Sequence, residues 1–515
     1  ARIGTGLFTF GPVEHEAALD GDKLRYEWMA DAVDTTGAAF LGLTLGCARC
    51  HDHKFDPIPQ RDYYKMMAAF ASSEQREIPV THMMTVFGYY TGYPRLIAVE
   101  QLKASVGRID RAARGRAIDE VKRRFPAEAA AAFETPKAKR TERQGELAYE
   151  IEVAVKALDD ATLERALTGD EREQRRELVR QIGEAYLKAP SRYPTATVLG
   201  RAEIAADVHI ALRGDYRSRG ESVGAGFPRA LGGEAEIREP AGRRKALAEW
   251  LTRPDHPLTA RVMVNRIWQG HFGRGLVGTP NDFGRQGDAP SHPELLDWLA
   301  VEFVSRGWSV KAMHRLILTS EAYQRSSRFA DAANARIDPG NRFLWRMNPR
   351  RLEAETLRDA VLESAGGLNL KTGGPPVVLP LTREEMEGMW NTGQWPVTSD
   401  PDEHRRRSVY LYVKRSFRFP MLETFDQPDT SVSCARRETT TVAPQALALL
   451  NSEFVHEQAR RLAASAGSVE AAWRRALGRA PSAEEKRRAG EFVARGSLAD
   501  LAVVLFNLNE FLYVD

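Results

Sequence analysis

Apolar residues recur at helical spacing through most of the chain after residue 240, and this periodicity constrains the fold more than any other feature. Seven of the nine tryptophans lie between Trp250 and Trp395, so the largest apolar core belongs to this half. Ser291 and Ser482 each precede a glutamate by three residues, the spacing of a helix capping box. The sequence therefore predicts a large helical C-terminal domain over residues 241–515.

Two short segments of this domain allow predictions of local structure. The apolar run Ser408–Val413 has strand character and is predicted to be a β-strand. Two clusters rich in arginine, Arg405–Arg407 and Arg436–Glu438, are predicted to lie on the surface, since such clusters are usually solvated.

The first part of the chain divides by composition. Residues 1–94 are rich in aromatic side chains and glycine and surround two cysteines, which predicts a helical N-terminal domain built around a cysteine motif. In residues 101–190, 36 of 90 residues are charged while Leu and Ala recur at helical intervals. This combination predicts a charged helical hairpin or arm over residues 95–192.

Alternating apolar residues at 195–199 and 208–212 predict a small β-rich linker module over residues 193–240. The fold class predicted for the whole chain is therefore mainly α.

Composition excludes several classes of protein. With 73 Lys and Arg against 70 Asp and Glu, the net charge of +3 indicates neither nucleic acid nor an anionic membrane as an obligatory partner. No apolar stretch approaches the 18 or so residues of a transmembrane helix. Three cysteines cannot form a disulfide framework, and a pairing of Cys47 with Cys50 leaves only Cys434.

The sharpest motif is Cys47-Ala48-Arg49-Cys50-His51, because a C-x-x-C-H run is what covalent haem c attachment requires. Cys47 and Cys50 are predicted to bind the haem through thioethers, and His51 to be the iron ligand. For three Cys and eleven His, such a run arises by chance in roughly one chain in four thousand of this length.

Two other chemistries remain open for the same residues. A zinc site would use Cys47 and Cys50 together with His51 or His53 as ligands, but it would need a fourth ligand, and no second cysteine pair exists to supply one. A dithiol redox site would use the two thiols alone, but no clear βαβ pattern surrounds them.

The residues after the motif are densely polar. Asp52, His53, Lys54 and Asp56 are candidates for partners of the metal ligand or for proton transfer. The candidates for a second axial ligand are Met29, Met66, Met67, His82, Met83 and Met84. Catalytic residues cannot be assigned from the sequence.

Several long stretches resemble a known family. Phe40–Ile58 resembles the signature of the cytochrome-associated domain of large exported planctomycete proteins, and the second half resembles the C-terminal partner domain of the same proteins. The stretches that carry the second resemblance are Thr259–Trp268, Gly273–Val277, Asn281–Gly284, Arg350–Glu355, Arg407–Tyr410, Phe425–Asp429 and Ala443–Leu447.

The resemblance implies an exported protein with a periplasmic or other extracytoplasmic location, whose signal peptide would lie upstream of the given sequence. It also implies a link to c-type cytochromes through an upstream cytochrome-like domain or a separate redox partner. The expected function is that of a haem-linked redox protein, acting in electron transfer or as an oxidoreductase. The contrasting expectation is a non-catalytic, zinc-stabilised binding or scaffold protein of the cell envelope.

Overall fold

The computed structural model describes residues 2–9, 20–188, 195–202, 207–233, 237, 242–387, 395–415, 417–430 and 433–514. The chain is 58% helical, and its described sheets are small and two-stranded. The predicted mainly α fold class is therefore confirmed.

The α-helices account for most of the regular structure of the described residues. In chain order they are α1 (Gly21–Thr36), α2 (Gln60–Phe70), α3 (Met83–Lys122), α4 (Ala127–Glu134), α5 (Glu142–Lys156), α6 (Asp160–Ala166), α7 (Gly169–Lys188), α8 (Arg243–Leu251), α9 (Thr259–Phe272), α10 (Pro293–Ser305), α11 (Val310–Leu318), α12 (Ala332–Ile337), α13 (Ala354–Ser364), α14 (Arg383–Glu387), α15 (Pro420–Thr424), α16 (Ala443–Asn451), α17 (Glu453–Ala466), α18 (Val469–Leu477), α19 (Ala483–Arg495), α20 (Leu498–Phe506) and α21 (Asn509–Leu512).

The described strands form three pairs, two of which join segments that lie far apart in the sequence. They are β1 (Ser73–Pro79), β2 (Thr195–Arg201), β3 (Val208–Ala211), β4 (Arg219–Val223), β5 (Arg350–Arg351) and β6 (Tyr513–Val514). Strand β1 pairs with β2, β3 pairs with β4 in antiparallel register Val208↔Val223, and β5 pairs with β6 in antiparallel register Arg350↔Val514. The strands predicted at 195–199 and 208–212 are both present, but they belong to different sheets. Residues 193–194, 203–206, 234–236 and 238–240 of the predicted linker module lie outside the described residues.

The chain divides into two compact units. One contains residues 1–9 and 75–200, and the other contains residues 10–74 and 201–515. The first unit is largely the charged segment, which is helical as predicted but begins at Met83. Within this unit α3 packs against α6 and α7, and α4 packs against α5. Its apolar clusters are small, so the charged residues dominate its surface.

The second unit begins with a helix pair. Helix α2 starts directly after Pro59, where the Asp56–Pro59 break predicts a new helix, and it buries Tyr63, Tyr64 and Phe70 almost completely. Burying the ring of Phe70 stabilises the unit by about 1.5–3 kcal/mol. The apolar residues Ala38–Leu45, which lie between α1 and the cysteines, form neither a strand nor an α-helix. Gly37–Leu41 is a π-helical turn, and Leu45–Arg49 is a 3-10 turn.

The larger part of the second unit contains two apolar cores. One core lies among α9, α10 and α11 and includes Trp268 and Phe303. The other lies among α13 and α16–α20 and includes Leu357 and Phe506. Ser482 forms the predicted capping box at α19, whereas α10 begins one residue later than its capping pattern predicts and lacks a side-chain cap.

Two local predictions in this region are wrong. Ser408–Val413 is not a strand: its first three residues form a 3-10 turn, and Leu411 makes an isolated bridge to Val377. The reason is that Asp359 Oδ1 accepts both the backbone N–H and the hydroxyl of Ser408 at 2.7 Å, which removes the N–H from strand pairing.

Arg406, predicted to lie on the surface, is fully buried. Its guanidinium donates to backbone carbonyls of Lys371 and Gly373, pairs with Glu403 at 3.1 Å, and lies 3.9 Å from the ring centroid of Tyr410. These partners satisfy a charge that would otherwise be costly to bury.

Within the described residues, no helix combines the length and the apolar composition that crossing a bilayer requires.

Candidate functional site

The cysteine motif lies on a short 3-10 turn, and the turn explains which of its residues face solvent. A 3-10 helix has three residues per turn, so residues three apart share a face. Leu45 and Ala48 share the buried face, and both are completely inaccessible. Cys47 and Cys50 are also three apart, and both are exposed with free thiols. The local fold therefore presents the two thiols toward solvent on one side of the turn.

Arg49, between the two cysteines, fixes the turn to both neighbouring helices. Its guanidinium binds the two carboxylate oxygens of Glu27 at 2.6 and 3.0 Å and donates to the Tyr26 hydroxyl at 3.1 Å. Its backbone carbonyl accepts hydrogen bonds from the Gln60 side chain at 3.0 Å and from the Tyr64 hydroxyl at 2.9 Å. Because the side chain holds α1 and the carbonyl holds α2, the position of the thiols is set before any ligand binds.

His51 is exposed, and its hydrogen bond selects one tautomer. Nδ1 lies 2.7 Å from the backbone carbonyl oxygen of Asp52. A carbonyl only accepts, so Nδ1 carries the proton and Nε2 presents its lone pair. Metal-bound histidines commonly show this arrangement, in which one ring nitrogen donates to a carbonyl and the other binds the ion.

His53 is buried and uses both ring nitrogens inside the loop. Nδ1 accepts the backbone N–H groups of Phe55 at 3.3 Å and of Asp56 at 2.9 Å. Nε2 therefore carries the proton and donates to the Thr44 hydroxyl at 3.0 Å. The structure thus separates His53 from His51: one imidazole holds the loop together and the other is available at the surface.

The other predicted site residues, Asp52, Lys54 and Asp56, make different kinds of contact. Asp52 Oδ1 accepts the backbone N–H of Gln60 at the start of α2, at 2.8 Å. The ammonium of Lys54 lies 5.2 Å from the ring centroid of exposed Phe55. Asp56 is buried, and its Oδ1 accepts the backbone N–H of Arg285 at 2.8 Å. Of these four candidates, Asp52 and Lys54 share the exposed surface with His51, whereas His53 and Asp56 do not.

The turn that joins β3 to β4 packs against one side of the Cys50 thiol. Gly214 in this turn has φ of +79°, and a Cβ added there would lie 2.4 Å from Cys50 Sγ. Both the backbone conformation and the contact therefore require glycine. The sequence contains no signal that places residue 214 beside the motif, because the contact joins segments more than 160 residues apart.

A loop of the C-terminal domain lies against the cysteine loop. Its Phe283 N–H donates to the Gly42 carbonyl at 2.6 Å, and a Cβ added at Gly284 would lie 2.3 Å from Asp56 Oδ2. Arg266 of α9 also donates to the Ala38 carbonyl at 2.8 Å. The cysteine loop and the C-terminal helices therefore share hydrogen bonds across a closely packed seam, which sequence patterns could not reveal.

The packing of this seam predicts a coupling between Gly284 and Asp56. Gly284→Ala should lower the free energy of unfolding by about 1–3 kcal/mol, because the added methyl strikes the carboxylate of Asp56. In an Asp56→Ala background that clash is absent, so the same methyl should cost far less. Urea unfolding of the wild type, both single variants and the double variant measures the coupling.

Gly270→Ala is the matched control, since nothing lies within 4 Å of a Cβ added at that helical position. It should be neutral or stabilising. Effects of Gly284→Ala and Asp56→Ala that add to within about 0.5 kcal/mol would mean that the two residues do not touch.

A buried carboxylate lies beneath the cysteine turn. A Cβ added at Gly46 would lie 3.0 Å from Asp34 Oδ1, and this oxygen is inaccessible and has no hydrogen-bond partner. Burial raises the pKa of Asp34 to about 6; Tyr63 and Arg49 oppose this shift. The turn that carries the thiols therefore lies over a group that titrates in a mildly acidic range.

The candidate second axial ligands are dispersed. Met29, Met66 and Met67 are buried among apolar side chains. The ring of His82 caps α3 by accepting the Met84 N–H at 3.2 Å, and Met83 and Met84 are exposed at the start of that helix in the other unit. Over the described part of the chain, no three side chains of His, Cys, Asp or Glu are grouped so that they could hold a metal ion.

Comparison with protein-family models gives two matches. The PSCyt2 model, described as a protein of unknown function (DUF1549), matches residues 1–75, and the PSD1 model, described as a protein of unknown function (DUF1553), matches residues 243–493. Searches of curated proteins and of solved structures gave no match. The cysteine turn lies in the first matched region, and the loop that packs on it lies in the second. The chain therefore carries two domains of unknown function whose pairing is typical of planctomycete proteins.

Proposed function

We propose that the Cys47–His51 turn is an attachment site for haem c and that the protein is an exported redox protein, acting in electron transfer or as an oxidoreductase. The observation that carries the proposal is the arrangement of three exposed groups on one preformed turn. Two free thiols share a face, and the next residue offers an imidazole nitrogen lone pair.

The residues present fit this cofactor better than they fit zinc. A haem c site needs two thiols and one imidazole in this order, and the turn exposes all three. A structural zinc site needs a fourth ligand, for which His53 is the nearest candidate in sequence. His53, however, already uses both nitrogens in hydrogen bonds to Thr44 and to the loop backbone. Recruiting it would break the contacts that shape the loop.

Attachment would be redox-neutral. Each thiol of Cys47 and Cys50 would add across one haem vinyl group, its sulfur bonding to one carbon and its hydrogen going to the other. His51 Nε2 would supply a lone pair to the iron, and the Asp52 carbonyl keeps the Nδ1 proton in place. When bound, the haem supplies a one-electron Fe(III)/Fe(II) couple.

The chemistry also supports an extracytoplasmic location and a redox partner. Thioether attachment needs reduced thiols and haem in the same compartment outside the cytoplasm, so the complete gene should encode an export signal. The exposed position of the turn would let a separate redox protein or a cytochrome-like domain approach the haem edge.

The test is expression of the chain, behind an export signal, in a host that matures c-type cytochromes. We expect a protein with a c-type absorption spectrum and haem that survives denaturation. His51→Ala should abolish that spectrum or prevent maturation, because it removes the imidazole that would bind the iron. His53→Ala should keep the haem attached and instead lower the stability of the loop.

Absorption spectroscopy and metal analysis together distinguish the alternatives. A colourless protein with stoichiometric zinc, obtained from a host that matures other c-type cytochromes, would overturn the proposal. A metal-free, colourless protein whose two thiols oxidise reversibly would also overturn it, in favour of a dithiol site.

A further inference from the structure

Two imidazoles from different helices meet far along the chain from the cysteine turn. His271 lies in the last turn of α9, and His314 lies in α11. His271 Nε2 is 2.8 Å from His314 Nδ1, and the two ring planes are inclined at 71°. The resemblance and the proposed haem chemistry assign nothing to this pair.

The rings are held by the packing of the helices that carry them. Helices α9 and α11 share an apolar core, so the separation of the two histidines is set by the fold. Tyr323 packs edge-on against the His271 ring, with centroids 5.6 Å apart. Arg350 donates to the His271 backbone carbonyl at 3.1 Å. His314 is exposed, which leaves the pair open to solvent and to small ions.

The distance between the two nitrogens can be compared with the distance expected for two nitrogens bound to one metal ion. Two nitrogens bound to one ion at about 2.05 Å lie about 2.9 Å apart when the angle at the ion is 90°, and about 3.3 Å apart at the tetrahedral angle. The observed 2.8 Å is the length of a hydrogen bond in the metal-free pair, and it also lies close to the right-angle value, so little movement would be needed to bind an ion. Ni²⁺ and Cu²⁺ prefer such tetragonal positions and imidazole ligands, whereas Zn²⁺ prefers tetrahedral ones.

We propose that His271 and His314 form a surface site for one divalent transition-metal ion of the Ni²⁺ or Cu²⁺ type, with water completing the coordination. Binding requires a lone pair on both contacting nitrogens. The histidine that donates in the metal-free pair therefore moves its proton to its other ring nitrogen, and no net charge change in the protein is needed.

The test is calorimetric titration of the full chain with NiCl₂. The three cysteines are replaced with serine, so that thiols cannot compete for the metal. We expect one equivalent of Ni²⁺ to bind, and His271→Ala and His314→Ala should each weaken binding by more than about tenfold, the lower bound for losing even an outer partner of a ligand. His456→Ala is the control, because this histidine contacts a backbone carbonyl elsewhere in the same unit and should not alter the isotherm.

A second measurement reads the ligands directly. Cu²⁺ bound to the same serine-substituted chain should show an electron paramagnetic resonance signal with two coupled nitrogens, reduced to one in His314→Ala. His314 is exposed, so its removal does not endanger the fold. An isotherm unchanged by His314→Ala, or tighter binding of Zn²⁺ than of Ni²⁺, would overturn the proposal and leave the pair as a hydrogen bond between two side chains.

Discussion

The variant Cys47→Ser/Cys50→Ser is expected to fold normally and to carry no covalently attached haem after expression with the maturation machinery. Both side chains are exposed, and the turn is held by Leu45, Ala48 and Arg49, so serine should be accommodated without structural cost. The effect on attachment should be complete, since a serine hydroxyl does not form the thioether. Each single variant should retain haem through one remaining thioether.

Haem staining after denaturing electrophoresis, with mass measurement of the intact chain, detects the loss. Thiol titration of the denatured protein adds an independent count. A loaded wild-type chain should show one reactive thiol, that of Cys434, because the other two are consumed. Cys434→Ser is the control: it should keep the haem and titrate no thiol. Three reactive thiols in a chain that has passed through the maturation pathway would contradict the attachment.

The second large effect is expected at Asp34. Its folded pKa of about 6 lies above the ordinary 3.8 because of burial, so between about pH 4 and pH 6 the folded chain binds more protons than the unfolded chain. Stability therefore falls as the pH rises through this window. By neutral pH the ionised group costs up to about 3 kcal/mol.

Asp34→Asn should remove this slope and stabilise the protein near pH 7 by an amount approaching that cost. Thermal or urea unfolding of both proteins from pH 4 to pH 7 checks it. Asp20→Asn, the same change at the N-terminus of the same helix, is a control of opposite sign: the hydroxyl of Tyr216 holds the pKa of Asp20 below its ordinary value, so ionised Asp20 stabilises the fold. Parallel pH profiles for the wild type and Asp34→Asn would contradict the buried-carboxylate interpretation.

The sequence predicts those parts of the fold whose causes are local. Helix α2 follows from the Asp56–Pro59 break and the apolar spacing after it, and α19 follows from the pairing of Ser482 with Glu485. Both signals lie within a few residues of the element that they start. The mainly α fold class follows from the sum of many such signals.

The two wrong predictions concern residues whose structure is set by contacts with distant parts of the sequence. Ser408–Val413 has the composition of a strand, but a carboxylate from α13, about 50 residues earlier, takes the backbone N–H that a strand would pair. Arg406 has the character of a surface residue in sequence, but carbonyls near residues 371–373 enclose it. Periodicity contains no information about either partner.

In the candidate site, too, some features can be predicted from the local sequence and others depend on the folded structure. The order of Cys47, Cys50 and His51 indicates the chemistry, and the sequence alone names these residues. The different roles of His51 and His53 depend on which backbone groups surround each ring. The packing of Gly214 against Cys50 depends on contact between segments that are distant in the sequence. These details depend on the folded arrangement of the chain, which periodicity and motif spacing do not contain.

The pairing of β1 with β2 has a consequence for the architecture of the chain. The backbone leaves the cysteine-bearing unit near Ser72 and returns at Ala202, whose N–H donates to the Ser72 carbonyl at 3.0 Å. The segment 75–200, which forms one unit with residues 1–9, therefore begins and ends at two backbone points that are hydrogen-bonded to each other. A segment anchored in this way can change its length or sequence while the entry and exit points stay fixed. We therefore expect the charged helices to vary in length and sequence while the hydrogen bond between Ser72 and Ala202 is kept.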